Sequence, residues 1–155
     1  MILSTLIGLL VQAATPATIA EQFFIGRTES VGTVHIILSG RHGVRVHSRG
    51  RLDRDGALLL EQVVEEEGKP ARRRSWRLVR SGPNRFTGTI NDARGPVTGE
   101  VAGNVLRLSY RSDEGPSVEH VITIQPDRRS ARNMTRFRRF GLNVATVDEV
   151  IRRVD

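Results

Sequence analysis

The chain has 155 residues, enough for one domain with a real core and too few for a two-domain enzyme. Hydrophobic residues make up 38% and charged residues 26%, the balance of a globular domain rather than a disordered chain. The absence of cysteine excludes a disulfide scaffold, thiol catalysis, cysteine-ligated zinc and the acylated cysteine of a lipoprotein. Net charge is +7, and of the 24 basic residues only Lys69 is a lysine. An excess carried by arginine fits a GC-rich coding sequence as well as an anion-binding surface.

Residues 1–20 carry no charged side chain. The run Ile2–Val11 has the length of a signal-peptide apolar region and falls short of the roughly 20 residues a spanning helix needs. Small residues follow at Ala13, Ala14 and Ala17. The segment reads as a signal peptide or an N-terminal apolar helix, ahead of one domain over 21–155. The signal reading predicts an exported protein of the periplasm or cell envelope; without it the protein is cytoplasmic.

From Val31 onward the pattern has period two, broken by turn signals every eight to twelve residues. Strands are expected at Val34–Leu38, Val44–Leu52, Leu58–Glu66, Arg72–Arg80 and Phe86–Ile90. Further strands follow at Gly95–Ala102, Val105–Arg111, Val118–Ile124 and Arg132–Phe140. Leu142–Val154 reads as a strand or a short helix. A short helical segment near Gln22-Phe23-Phe24 is expected to cover one end. Nine or ten such strands in a meander predict an all-β fold, one antiparallel barrel whose closure removes exposed edges.

Turn positions set the expected registers. A first hairpin centred on Arg41 pairs Leu38 with Val44 and Ile36 with Val46, and sets His35 opposite His47 on the outer face. Two histidines without a near third ligand make a poor zinc site, and no metal or cofactor is expected. A two-residue turn at Asp55-Gly56 pairs Leu52 with Leu59 and turns Glu61 inward. A turn around Gly68-Lys69 then pairs Glu61 with Trp76 and Val63 with Arg74. On this reading Glu61, Arg74 and Trp76 share the barrel interior. Arg45, Arg49 and Arg51 fall on the wetted outer face.

The order of motifs is distinctive. Phe24-Ile25-Gly26-Arg27-Thr28-Glu29-Ser30-Val31-Gly32 is followed by Leu59-x-Glu61, Arg74-x-Trp76 and the glycine-rich block from Phe86 to Asn104. Arg132-Asn133-Met134-Thr135-Arg136-Phe137 and Phe140-Gly141 close the series. This chain resembles the bacterial family called domain of unknown function 3833. The resemblance implies a small lipocalin-like barrel of the cell envelope and supplies no catalytic residues.

The glycines Gly88, Gly95, Gly99 and Gly103 form no phosphate loop, and no Gly-x-Ser-x-Gly elbow is present. Gly99 facing Leu108 leaves lumen space. Arg72-Arg73-Arg74 alternates faces on a strand and lacks the interleaved aromatics of a nucleic-acid reader, so no specific nucleic-acid partner is expected. The resulting expectation is a non-catalytic barrel, not an enzyme, binding a small hydrophobic or lipid ligand. Leu59, Trp76, Phe86 and Leu108 would line its lumen, with Glu61 and Arg74 as polar anchors. The alternative is a barrel with a filled core that docks a protein partner or an anionic membrane surface through its arginine-rich exterior.

Overall fold

The computed structural model of the protein describes residues 17–155. The run Ile2–Val11, read as an export leader, lies outside the described residues. A short helix, α1 (Ile19–Phe24), precedes β1 (Gly26–Ile36), β2 (Gly40–Leu52), β3 (Leu58–Glu66), β4 (Arg72–Gly82) and β5 (Arg85–Ile90). The chain continues through β6 (Ala93–Ala102), β7 (Val105–Ser112), β8 (Ser117–Ile124), β9 (Ser130–Arg139) and β10 (Leu142–Arg153). Each strand pairs antiparallel with its neighbours in sequence, and β1 pairs with β10 to close the barrel. The all-β antiparallel meander barrel expected from the alternation is the fold, lipocalin-like as the family resemblance implies, and its last segment is a strand.

Alternation decides which face each residue takes. In β8, Val118, His120, Ile122 and Ile124 are buried while the residues between them face outward. Outward arginines find acids across the sheet. The guanidinium of Arg132 forks onto Asp148 at 3.0 and 2.7 Å, and Arg77 reaches Asp53 at 2.9 Å. Much of the arginine excess is thus the wetted outside of a half-buried sheet. Strand β1 begins well ahead of the apolar run at Val34, because its early inward residues are Thr28, Ser30 and Gly32. Polar inward residues leave no hydrophobic alternation to read.

Two expected registers are corrected. The first hairpin pairs Ile36 with Gly40 and so centres on Leu38 rather than Arg41. Parity is unchanged, which keeps Ile36, Val44 and Val46 inward, but Leu38 itself stands exposed at the tip of the turn. His35 now faces Arg41, and His47 lies 3.5 Å from both Glu29 and Glu65. The expected His35–His47 neighbours therefore never meet.

The second correction concerns β3. The Asp53 carboxylate accepts from the Asp55 and Ala57 amides at 2.9 Å, and the Asp53 amide donates to the Ala57 carbonyl. These bonds hold a longer loop than a two-residue turn, so Leu52 pairs with Leu58. Strand β3 slips by one residue against both neighbours. Every side chain on it changes face. The two offsets cancel beyond β3, which leaves Arg74 and Trp76 inward as expected.

Hairpin turns alternate between two ends, and α1 closes the end that carries the 53–57 loop. Thr18 and Glu21 form a reciprocal capping box that starts the helix within the segment read as the leader. Phe23 and Phe24 are buried among Leu58, Leu60, Leu78 and Phe86, in the apolar core of the closed half. Each such ring contributes about 1.5–3 kcal/mol by burial. Glu21 is only 3% exposed and accepts from Arg80 Nε at 3.0 Å, pinning the helix to β4. Gly50 lets this happen, because a Cβ there would collide with the Phe24 carbonyl oxygen.

Candidate functional site

The other half of the barrel is not filled. A smaller apolar cluster of Val34, Val44, Val46 and Val64 lines its wall, with Ile36 and Val147 against it. Between this wall and Pro116 and Phe137 lies a chamber of about 500 Å³, open at the end opposite α1. Beneath it, an inner chamber of about 40 Å³ sits between Thr28, Ser30, Ser48, Gln62, Asn133 and the rings of Phe24 and Trp76. Val46, Arg74, His120 and Glu149 border both. The lumen is apolar at the wall and polar at the floor.

The floor is a hydrogen-bonded belt drawn from eight of the ten strands. Gln62 Oε1 accepts from Trp76 Nε1 at 2.8 Å and from Arg74 Nε at 3.0 Å, while its Nε2 donates to Ser48 Oγ at 3.2 Å. Ser30 Oγ donates to Glu149 Oε2 at 3.1 Å. His120 Nδ1 lies 3.0 Å from Thr135 Oγ1 and 3.4 Å from Asn133 Nδ2, and His120 Nε2 lies 3.3 Å from the Tyr110 hydroxyl. An amide nitrogen only donates, so Nδ1 is the acceptor and Nε2–H points at Tyr110. The Tyr110 hydroxyl proton is then left to donate elsewhere. Trp76 meets Tyr110 and His120 edge to face at 5.7 and 5.6 Å, which locks the three rings together.

Burial sets the charge of this belt. It pushes His120 down to about 3, with the nearby Arg74 charge acting the same way, so the imidazole is neutral. It pushes the Tyr110 phenol up to about 12. It also raises Glu149, against the pull of Arg74 and the hydrogen bonds from Ser30 and Asn133. Arg74 is the positive group these three residues share. Its guanidinium carbon lies 5.8 Å from the Trp76 ring centre.

Of the six residues nominated from sequence, Arg74 and Trp76 are in the floor. Phe86 and Leu108 face inward but belong to the packed core of the closed half, not to either chamber. The space at Gly99 is taken up by these two, whose side chains a Cβ there would crowd. Leu59 and Glu61 lie on the outer face. Leu59 faces Arg51 and Arg77 across the sheet, and Glu61 is exposed and accepts from Ser75 Oγ at 2.6 Å. Gln62 takes the position expected of Glu61. The acid of the inner chamber is Glu149, from the segment read as either strand or helix.

Among the floor residues that escaped sequence reasoning are Tyr110, His120, Asn133 and Glu149. A signal for three of them was present. His120 occupies the apolar phase of Val118, Ile122 and Ile124, Glu149 that of Val147 and Ile151, and Asn133 follows buried Ala131. A polar residue in the inward phase of a strand marks a polar interior.

An open-mouthed antiparallel barrel with apolar walls and a polar floor defines a lipocalin-like, lumen-forming protein. The chain belongs to the family described as a protein of unknown function, DUF3833, whose model matches residues 10–153. Among solved structures, the S-type phycobiliprotein lyase CPES from Guillardia theta is similar in fold. Its TM-score is 0.67 at 7% identity, over 88% of this chain and 91% of that one. No curated protein matches the sequence. The fold likeness corrects the expectation of a protein that is not an enzyme. That expectation rested on the lack of a recognisable catalytic motif, and a barrel of this fold carries the name of a lyase in another protein. The filled-core alternative is also corrected, since the mouth half encloses an open chamber.

Proposed function

We propose that this is an exported envelope protein that holds a small apolar or amphipathic molecule, a lipid in the simplest case, in the lumen of its barrel. The observation that carries the reading is the outer chamber. Its volume of about 500 Å³ lies within the range of ligand pockets, and its apolar wall stands above a few fixed polar groups. Apolar contact supplies affinity there, and the floor supplies orientation. Export rests on the uncharged apolar run of residues 2–11. Native mass spectrometry of the protein from a Gram-negative host tests both parts. A shortened mass together with a small molecule lost on denaturation is the expected result; a full-length mass with no guest retained overturns the reading.

The rim of the mouth supports an anionic membrane surface as the source of that guest. Leu38 and Phe140 occupy the tips of neighbouring turns at φ 64° and 50°, a region that bulky residues rarely adopt. Both are fully exposed, and Ile37 and Leu142 beside them are more than half exposed. The two turns are tied by the Ile37 amide donating to the Val144 carbonyl at 3.0 Å. Exposed Arg41, Arg138 and Arg139 flank them. Apolar tips among cations match an anionic bilayer interface. The protein is expected to float with phosphatidylglycerol vesicles and to be released by salt. Leu38→Ser with Phe140→Ser should weaken that binding by at least about tenfold. Unchanged flotation of the double variant would remove the rim from the account.

A further inference from the structure

The charge balance of the floor narrows the guest, and this step rests on the lumen-binding reading above. Arg74 donates its Nε–H to Gln62, and neither terminal nitrogen has a hydrogen bond or an ion pair among the described residues. Gln62 is itself held by Ser48 and Trp76, so the guanidinium is fixed at its root with its fork bordering both chambers. The titratable groups around it are His120 from β8, Tyr110 from β7 and Glu149 from β10, with Glu66, Asp92, Asp113 and Glu114 further out along the outer chamber. The first two are neutral at pH 7, and burial favours the neutral acid of the third. A guanidinium whose two terminal nitrogens make no ion pair in a partly desolvated site is completed by an anion that joins it there.

A second observation marks the same place. The side chain of Asn133 is only 5% exposed and borders the inner chamber, yet its Oδ1 accepts no hydrogen bond. The protein thus leaves a positive fork and a polar acceptor unmatched on one chamber floor, with the Tyr110 hydroxyl proton also uncommitted. The inner chamber is compact, about 40 Å³, and the apolar volume lies on its mouth side.

We propose that the lumen selects a long-chain carboxylic acid bound head-down. The carboxylate receives both terminal N–H groups of Arg74, and the hydrocarbon lies along Val34, Val44, Val46, Val64 and Phe137 toward the mouth. Guanidinium and carboxylate match as a planar two-point pair, which a neutral head group of the same length does not reproduce. Tyr110 adds a third donor. A water held beneath the head group serves Asn133 Oδ1. Gln62 is a positioning residue, acting on the acid only through Arg74.

The test is displacement of the neutral dye N-phenyl-1-naphthylamine from the full protein by hexadecanoic acid and by hexadecanol at pH 8. The acid is expected to compete at least about tenfold more tightly than the alcohol. Arg74→Gln should remove that preference, so that acid and alcohol compete alike, and Arg74→Lys, which keeps the charge but not the fork, should restore part of it. Circular dichroism and a cooperative urea transition establish that the variants are folded. Equal competition by acid and alcohol in the wild type overturns the head-group assignment but keeps the lumen as a binding site. Displacement by neither ligand overturns both.

Discussion

Replacing Glu21 with alanine is expected to lower stability by about 3–5 kcal/mol, the loss typical when one partner of a buried ion pair is removed. Glu21 is 3% exposed, and its carboxylate serves two structures at once. It receives the Thr18 amide at 2.9 Å as half of the capping box, and it receives Arg80 Nε at 3.0 Å and Nη2 at 2.5 Å. Truncation leaves a guanidinium that is 18% exposed against the closed end of the barrel. A domain's whole stability is about 5–15 kcal/mol, so the effect is large. Urea denaturation measures it. Glu21→Gln should cost less, because glutamine keeps the cap while losing the charge. A loss below about 1 kcal/mol for the alanine variant, the worth of a surface pair, would show that α1 is not fastened in this way.

Acid stability should separate His120 from Glu149, two buried titratable groups of the floor, because they act with opposite signs. His120 has its folded value lowered from 6.5 to about 3. Its contribution is complete above pH 6.5 and is lost as pH falls toward the folded value. Glu149 has its folded value raised above 4.5, so its contribution is complete below pH 4.5 and is lost as pH rises through the folded value. Between pH 6.5 and 4.5 the histidine alone removes about 2–3 kcal/mol. His120→Gln should therefore flatten the acid side of the stability profile, and Glu149→Gln should steepen it. Urea midpoints of the three proteins at pH 7 and pH 4.5 give the comparison. The same slope for His120→Gln and wild type would mean that the imidazole is solvated in solution.

These two groups also show how far the site was legible in the sequence. Arg74 and Trp76 were readable as inward because they share a phase with Leu78 on an alternating strand. His120, in phase with Val118 and Ile122, carried the same information. Glu61 looked equally secure and was not. Its face depended on counting residues through the 53–57 loop, where the Asp53 carboxylate holds a longer turn than Asp-Gly alone implies. One residue of offset exchanged Glu61 for Gln62, an exposed acid for a neutral anchor. The start of β1 was hidden for a related reason: Thr28 and Ser30 face a polar chamber and carry no hydrophobic rhythm.

Strand period, strand order and the outward arginines were determined by the sequence alone, since each depends on residues within a few positions of one another. Register across the loops, the meeting of Gln62, Arg74, Tyr110, His120, Asn133 and Glu149, and the open chamber above them were decided only by the tertiary structure. Loop length and closure of β1 onto β10 choose which side chains converge. Whether those side chains fill the space is set by their summed volume around the whole circumference, to which every strand contributes and which no single segment encodes.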